Sequence, residues 1–221
     1  MQEYATARHN MVEGQIKPNR VTDAAVMDAM REVPRELFVP TIARGVAYVD
    51  EDIRIADGRF LMEPMVLARL LDAAAVRRDD IVLDIGCGTG YSTAVLARLA
   101  NTVVALESDG ELARGASELL VRLGVDNAVI VEGPLTEGYP AQAPYQVIVL
   151  GGAVDHVPDG ILAQLDEGGR LVTVIVPDLG RPAMGCATLF RRIHGHVSSR
   201  PLFDAGTPML PGFEPLPTFQ F

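Results

Sequence analysis

The stretch Ile81-Val82-Leu83-Asp84-Ile85-Gly86-Cys87-Gly88-Thr89-Gly90 decides the fold. An apolar run with one acid comes first, and alternating glycines follow it. The segment from Tyr91 to Ala100 then has the apolar spacing of a helix. A buried strand, a tight glycine-rich turn and a helix, in this order, predict the opening unit of an α/β doubly wound sheet with helices on both faces. In such a unit the glycines let the backbone approach a ligand, and the start of the helix points toward it.

A second strand is predicted from Thr102 to Leu106, and it ends in Glu107. An acid about 20 residues beyond a glycine turn, at the tip of the next strand, is placed to accept hydrogen bonds from both hydroxyls of a ribose. We therefore expect Glu107 to bind a nucleoside ligand from a strand end that lies outside the core.

The composition fits one α/β domain with a modest extension, because the chain has 221 residues. The net charge of −10 argues against binding nucleic acid or an anionic membrane through a broad basic surface. The two cysteines give no disulfide framework, and no apolar run approaches the roughly 18 residues of a membrane-spanning helix. We expect a cytoplasmic monomer that has neither nucleic acid nor a membrane as a partner.

The glycine spacing separates two kinds of cofactor. A dinucleotide site has G-x-G-x-x-G, whereas this chain has Gly86-x-Gly88-x-Gly90 with Asp84 at the end of the strand. This arrangement resembles motif I of the Rossmann-like S-adenosylmethionine (SAM) methyltransferases, and Glu107 resembles their ribose-binding acid. The alternatives are a nicotinamide cofactor and a glycine-rich turn that binds no ligand. The resemblance implies SAM as the cofactor, with Asp84 facing its ammonium group.

A second resemblance covers the N-terminal part of the chain. Residues 28–40 contain Val33-Pro34-Arg35-Glu36-Leu37-Phe38-Val39-Pro40, which is similar to the A-M-x-x-V-P-R-E-x-F-V-P segment of protein-L-isoaspartate O-methyltransferases. Ala47-Tyr48-x-Asp50 also fits, and the similarity extends over roughly residues 8–200. These repair enzymes methylate the free carboxylate of isoaspartyl residues. The resemblance therefore implies this activity, with isoaspartyl-containing proteins or peptides as the substrate.

The resemblance also implies the site residues. The candidate cofactor-binding residues are Asp84, Gly86, Cys87, Gly88, Gly90, Tyr91, Glu107, Ser108, Glu132 and Gly133. The residues expected to face the acceptor are Gly58, Arg59, Phe60, Leu61, Met62, Glu63 and Pro64. None of them is assigned a catalytic role, because a carboxylate acceptor with a reference pKa near ~4 is already ionised at pH 7 and needs no general base. No metal site is predicted.

The acceptor loop departs from the family's pattern, which is G-Q-T-I-S-x-P. Arg59, Phe60 and Met62 stand where the family has Gln, Thr and Ser. The hydroxyl that the family carries at the position of Met62 is therefore missing, and with it a hydrogen bond that would orient the acceptor.

Two further departures lie in the core. Pro134 replaces the Asp of a G-D-G turn that reaches the adenine in the family, and Glu132 is the nearby acid that could serve instead. Gln146 replaces the Asp of the family's A-P-Y-D. These changes keep an alternative open, namely a diverged methyltransferase with another acceptor or a non-catalytic protein that binds SAM or another protein.

The order of patterns along the chain predicts three parts. Residues 1–64 form a helical cap and the acceptor loop, residues 65–200 a Rossmann-like core, and residues 201–221 a Pro-rich tail that wraps over the body. Within the cap, the Lys17–Arg20 segment separates two helices, and Thr22-Asp23 caps the second. The charged residues 77–80 are expected to form a solvated turn before the first strand of the sheet.

Overall fold

The computed structural model describes residues 2–176 and 184–214. Its N-terminal cap contains α1 (Gln2–Met11), a π-helical turn (Val12–Ile16), a 3-10 turn (Lys17–Asn19) and α2 (Ala24–Glu32). The side chain of Asp23 accepts a hydrogen bond from the Ala25 N–H and so caps α2, as the sequence predicts. The break between the helices includes Arg20, whose backbone is left-handed with φ of 66°.

The cap continues into the acceptor loop. It contains 3-10 turns at Arg35–Leu37 and Thr41–Val46, the hairpin of β1 (Ile53–Ala56) and β2 (Arg59–Leu61), and α3 (Pro64–Ala74). Pro64 occupies the first position of α3, where a missing N–H costs nothing. The predicted acceptor loop is therefore a β-strand that leads directly into a helix.

The core is an alternation of strands and helices around one central sheet. In chain order its elements are β3 (Ile81–Ile85), α4 (Tyr91–Ala97), β4 (Thr102–Glu107), α5 (Gly110–Arg122), β5 (Ala128–Glu132), β6 (Tyr145–Val154), α6 (Asp159–Leu162), β7 (Leu165–Ile175), β8 (Gly185–Ile193) and β9 (His196–Ala205). The strands lie in the order β5-β4-β3-β6-β7-β8-β9. The first five are parallel, and β8 and β9 are antiparallel.

The strand order places a switch point between β3 and β6. The chain runs outward from β3 to β5 and then returns to the other side of β3. Parallel sheets bind ligands at the carboxyl ends of their strands beside such a switch point. The glycine turn after β3 and the end of β4 both lie there.

Alternating side chains of β3 pack on opposite faces of the sheet. Val82 belongs to the core under the cap, α3 and α4, whereas Leu83 and Ile85 belong to the core on the other face. Helix α4 lies between the sheet and the cap, and six of its residues, 91–96, are buried. Because α4 is enclosed in this way, the glycine turn that precedes it is rigidly placed.

The structure differs from the sequence expectations in the exposure of residues 77–80 and in the position at which the Pro-rich tail begins. The prediction that residues 77–80 form a solvated turn is wrong for Asp80, which is buried and pairs with Arg170 at 2.6 Å. At the other end, β9 continues to Ala205, so the first residues of the expected Pro-rich tail complete the sheet. Pro201 is tolerated because β9 is an edge strand. Residues 215–221 of the expected tail lie outside the described part.

Candidate active site

The glycine turn is built from left-handed backbone positions. Gly86, Gly88 and Gly90 have φ of 77°, 56° and 91°. The N–H groups of Gly86 and Cys87 donate to the Leu106 carbonyl at the end of β4, at 2.8 and 3.2 Å. Side chains rarely adopt these φ values, so the alternating glycines predicted from the sequence are required by the turn itself.

The carboxylate of Glu107 is the centre of the site. It is fully buried, and one oxygen, Oε2, accepts hydrogen bonds from the Gly88 N–H at 2.7 Å and from Arg59 Nη2 at 2.5 Å. The other oxygen, Oε1, accepts from the N–H groups of Ser108 and Asp109 at 2.9 and 3.2 Å. The sequence expectation that this acid lies outside the core is therefore wrong, because the turn residues and Arg59 enclose it.

Asp84 lies beneath the turn at the end of β3 and is fully buried. Its Oδ2 accepts from the hydroxyls of Ser92 and Thr93 at 2.7 and 2.8 Å, and its Oδ1 has no partner among the described residues. Burial raises the pKa of Asp84 to about 6, although the two hydroxyl donors oppose this shift. The site thus holds a second carboxylate with an oxygen available for a cationic group.

The other predicted cofactor residues have distinct environments. Burial, with a smaller contribution from Asp84, raises the pKa of the Cys87 thiol, so this group stays protonated and packs as a small side chain. The ring of Tyr91 lies 4.8 Å from the guanidinium carbon of Arg35 and therefore contacts the cap. Glu132, at the end of β5, is exposed. The Gly133 N–H donates to the Glu107 carbonyl at 3.0 Å.

The cap is attached to the glycine turn and to the acceptor loop by a few specific contacts. The Thr89 hydroxyl donates to the Phe38 carbonyl at 2.6 Å. The fully buried Arg35 donates through Nε to the Ala47 carbonyl and through Nη2 to the Met62 carbonyl, both at 2.8 Å. Arg35 belongs to the V-P-R-E segment, so this segment joins the cap to the acceptor loop.

The acceptor loop is mostly buried and carries one unusual carboxyl group. Met62 is buried, and the Glu63 N–H donates to Asp52 Oδ1 at 3.0 Å. Burial, followed by the neighbouring charges of Asp50, Asp52 and Glu51, raises the pKa of Glu63 to about 7. The loop therefore presents an acid that changes its charge near neutral pH.

Side chains of the chain itself occupy the space over the glycine turn. A side-chain carbon added at Gly86 would lie 2.7 Å from Leu210 Cδ2, and one added at Gly88 would lie 2.6 Å from Ile55 Cδ1. Arg59 Nη2 lies 3.4 Å from the first of these positions. Sequence reasoning placed Arg59 beside the acceptor and missed its pairing with Glu107, and it gave no role to Ile55 or Leu210. No local signal in the sequence indicates these contacts.

A parallel sheet with this glycine turn, and with an acid at the end of the second strand, defines a Rossmann-like SAM-dependent methyltransferase. The sequence profile of the protein-L-isoaspartate(D-aspartate) O-methyltransferase family matches residues 6–187. The chain belongs to this family, so the predicted family, its methyltransferase activity and the fold are confirmed. Among the residues described, no helix is both long and apolar enough to cross a bilayer.

Individual relatives agree with this assignment. A protein-L-isoaspartate O-methyltransferase of Methanoculleus marisnigri is 40% identical over 195 residues, which are 88% of this chain and 87% of that protein. A second such enzyme, from Pelobacter propionicus, is 42% identical over 77% of this chain and 75% of its own length.

Two solved structures have the same fold. A protein-L-isoaspartate O-methyltransferase structure is 28% identical with a TM-score of 0.80, over 93% of this chain and 66% of its own. A structure from Plasmodium falciparum, assigned to the same type of methyltransferase and bound to S-adenosyl-L-homocysteine, is 20% identical with a TM-score of 0.76. It covers 93% of this chain and 96% of its own, and at this identity it supports the fold alone.

Proposed function

We propose that this chain transfers the methyl group of SAM to the free carboxylate of isoaspartyl residues in damaged proteins. The observation that carries the proposal is the Glu107 carboxylate, which backbone N–H groups hold at the end of β4 beside the left-handed glycines. A carboxylate fixed in this way is an acceptor for the two hydroxyls of a ribose. The family to which the chain belongs supports the choice of acceptor.

The residues present fit SAM in their chemistry. Glu107 offers acceptor oxygens to the ribose, and the unpaired Oδ1 of Asp84 offers a charged partner for an ammonium group. When bound, SAM supplies a methyl group that its sulfonium has already activated. The protein then has to orient the two reactants and exclude water, and the cap over α4 and the glycine turn is placed to do both.

The acceptor side of the proposal rests on residues 58–64. Arg35 and Asp52 fix the backbone of this loop through the Met62 carbonyl and the Glu63 N–H. The loop joins the cap to α3 and, through Arg59, reaches the carboxylate of Glu107. We keep the cytoplasm as the expected compartment and a monomer as the expected state.

The test is labelled methyl transfer from SAM to an isoaspartyl peptide and to its normal aspartyl twin. We expect labelling of the isoaspartyl peptide and none of its twin, because the free carboxylate of an isoaspartyl residue is its α-carboxylate, whereas that of an aspartyl residue lies on the side chain. Equal labelling of both peptides, or of neither, would contradict the proposal.

A second candidate is a diverged methyltransferase with another acceptor, or a member that binds SAM without catalysis. The observation that favours it is the loop itself, in which Met62 is buried and Arg59 is paired with Glu107. Binding of S-adenosyl-L-homocysteine in a calorimeter, without labelling of either peptide, would favour this candidate over the first.

A further inference from the structure

Side chains from two separate segments lie over Gly86 and Gly88 of the glycine turn. Ile55 and Arg59 belong to the β1–β2 hairpin, and Leu210 belongs to residues 207–213, which we call the strap. The strap is attached to the end of β6 by two backbone hydrogen bonds, from the Ala153 N–H to the Pro208 carbonyl at 2.9 Å and from the Leu210 N–H to the Ala153 carbonyl at 2.8 Å. Leu210 is almost fully buried against Gly86 and Gly152.

The guanidinium of Arg59 is the polar member of this group. Arg59 is 4% exposed and Glu107 is fully buried, so their ion pair at 2.5 Å is shielded from water. The Nε of Arg59 has no partner among the described residues, which makes the arginine poorly satisfied apart from this bond. A buried pair of this kind is costly to break one partner at a time, because the remaining charge stays buried.

We infer that Arg59 is an internal occupant of the position that the proposed function gives to the ribose of SAM. The inference rests on that proposed function. Both oxygens of Glu107 already accept hydrogen bonds, Oε1 from two backbone N–H groups and Oε2 from the Gly88 N–H and Arg59. The ribose hydroxyls and the Arg59 guanidinium therefore compete for this carboxylate. The cofactor therefore binds only when it displaces Arg59, and Arg59 sets the affinity for the cofactor.

The apolar neighbours of Arg59 must move with it. Ile55 lines a cleft of about 340 Å³ between the cap and α5, and it also lies over Gly88. Withdrawal of Ile55 joins this cleft to the space over the turn. Since Arg59 lies in the acceptor loop, binding of the cofactor is coupled to a rearrangement of that loop.

The first test replaces Arg59 with Gln, the residue that the family's pattern has at this position. This substitution removes the guanidinium that competes with the ribose for the Glu107 carboxylate. In the free protein Glu107 is then left without a cationic partner. We expect the dissociation constant for S-adenosyl-L-homocysteine, measured by calorimetry, to fall about tenfold to a hundredfold, as for the loss of one charged hydrogen bond. Arg54→Gln is the matched control, because Arg54 lies in the same hairpin and contacts only its exposed tip among the described residues, through the Asp57 carboxylate and the Ala56 carbonyl.

Two further measurements keep the inference testable if Arg59→Gln folds poorly. Leu210→Ala shortens the side chain over Gly86 without touching the ion pair, and we expect it to lower the same dissociation constant severalfold. In the wild-type protein, saturating S-adenosyl-L-homocysteine should speed amide hydrogen exchange in β1, β2 and the strap, because these segments withdraw. Strand β7 is the internal control, and its amide exchange rates should stay unchanged.

The outcomes separate this inference from the proposed function. If the wild type binds S-adenosyl-L-homocysteine and both variants bind it no more tightly, with no change in exchange, the internal occupant is refuted and the proposed function stands. If the wild type and both variants all fail to bind, the inference and the proposed function are both refuted. Tighter binding by Arg59→Gln, with Arg54→Gln equal to the wild type, supports the inference.

Discussion

The glycine turn and the acceptor loop lie next to each other, yet they are held in opposite ways. The turn is fixed by its own backbone, since Gly86 and Cys87 bond the end of β4 and Glu107 collects three N–H groups. Beyond the backbone ladder of its β1–β2 hairpin, the acceptor loop is fixed by side chains from elsewhere, chiefly Arg35 and Asp52. A segment held by its own backbone requires particular residues, such as glycine. A segment held by side chains from elsewhere depends less on its own side chains, and it carries Met62 where the family's pattern has Ser. We therefore expect substitutions in the glycine turn to cost more than substitutions in the acceptor loop.

Glu107→Ala should have the largest effect on stability, because it removes the carboxylate around which the backbone of the glycine turn is held. The substitution leaves Arg59 as a buried unpaired charge and removes the acceptor of three N–H groups. We expect the free energy of unfolding, measured with urea, to fall by about 3–5 kcal/mol. Cofactor affinity should be lost at the same time.

Glu132→Ala is the matched control for this change. Glu132 is paired with Glu107 in the register of neighbouring parallel strands, but it is exposed. Its replacement should change the free energy of unfolding by no more than about 0.5 kcal/mol. If both variants unfold at the same urea concentration as the wild type, Glu107 does not hold the turn together.

Asp84→Asn tests the same half through pH. Burial raises the pKa of Asp84 from 3.8 to about 6 in the folded protein, so the folded state binds its proton more tightly than the unfolded state does. Stability from this group is therefore present at low pH and is lost as the pH rises from about 4 to 6. About two pKa units at about 1.36 kcal/mol each give a loss on the order of 3 kcal/mol.

The measurement is the free energy of unfolding of Asp84→Asn and of the wild type between pH 4 and 7. The variant cannot ionise at this position, so its stability relative to the wild type should increase across this range. Asp79→Asn, in the exposed turn before β3, controls for the loss of a surface carboxylate. A constant difference between Asp84→Asn and the wild type would mean that Asp84 is not buried as a neutral acid at low pH.

The contrast between the two regions also explains what could be predicted from the sequence. The strand, the alternating glycines and Glu107 are local features, and the backbone conformation requires them, so the fold and the glycine turn follow from the sequence. The V-P-R-E segment is recognisable by its resemblance to the family. The structural role of its arginine is a contact across the fold, from Arg35 to the Met62 carbonyl.

The contacts that could not be predicted join distant parts of the chain. Arg59 meets Glu107 across 48 positions, and Asp80 meets Arg170 across 90. Leu210 reaches the glycine turn from a segment that reads as a Pro-rich tail. Spacing and periodicity describe neighbours along the chain, so they carry no information about which distant side chain completes a buried pair.

Met62→Ser tests the acceptor loop by restoring the hydroxyl of the family's pattern. Truncating a buried Met should lower the free energy of unfolding by about 2 kcal/mol, which is the low end of the range for truncations of this size. The new hydroxyl offsets part of this cost, because Arg35 Nη1 lacks a partner among the described residues and its Nη2 already bonds the Met62 carbonyl.

The functional readout of Met62→Ser is the rate of isoaspartyl peptide methylation. We expect it to rise about tenfold, since one orienting hydrogen bond contributes ~1–3 kcal/mol. Met62→Ala has the same truncation without the hydroxyl and should not gain. Equal rates for the two variants would show that the missing hydroxyl does not limit the reaction.

Pro134→Asp should have the smallest effect on the fold, because it changes an exposed residue in the turn after β5. Pro134 has φ of −66° and ψ of 125° and precedes the 3-10 turn Leu135–Glu137, a position at which Asp is favoured as a cap. The free energy of unfolding should therefore change by less than about 1 kcal/mol. The family resemblance implies that an acid at this position reaches the adenine, so we expect the dissociation constant for S-adenosyl-L-homocysteine to fall about three- to tenfold, as for one modest hydrogen bond. Pro134→Ala removes the ring without adding an acceptor, and calorimetry of the two variants side by side isolates the carboxylate. If they bind equally well, Glu132 or a backbone group makes the adenine contact, and the sequence of this turn is free to vary as the acceptor loop does.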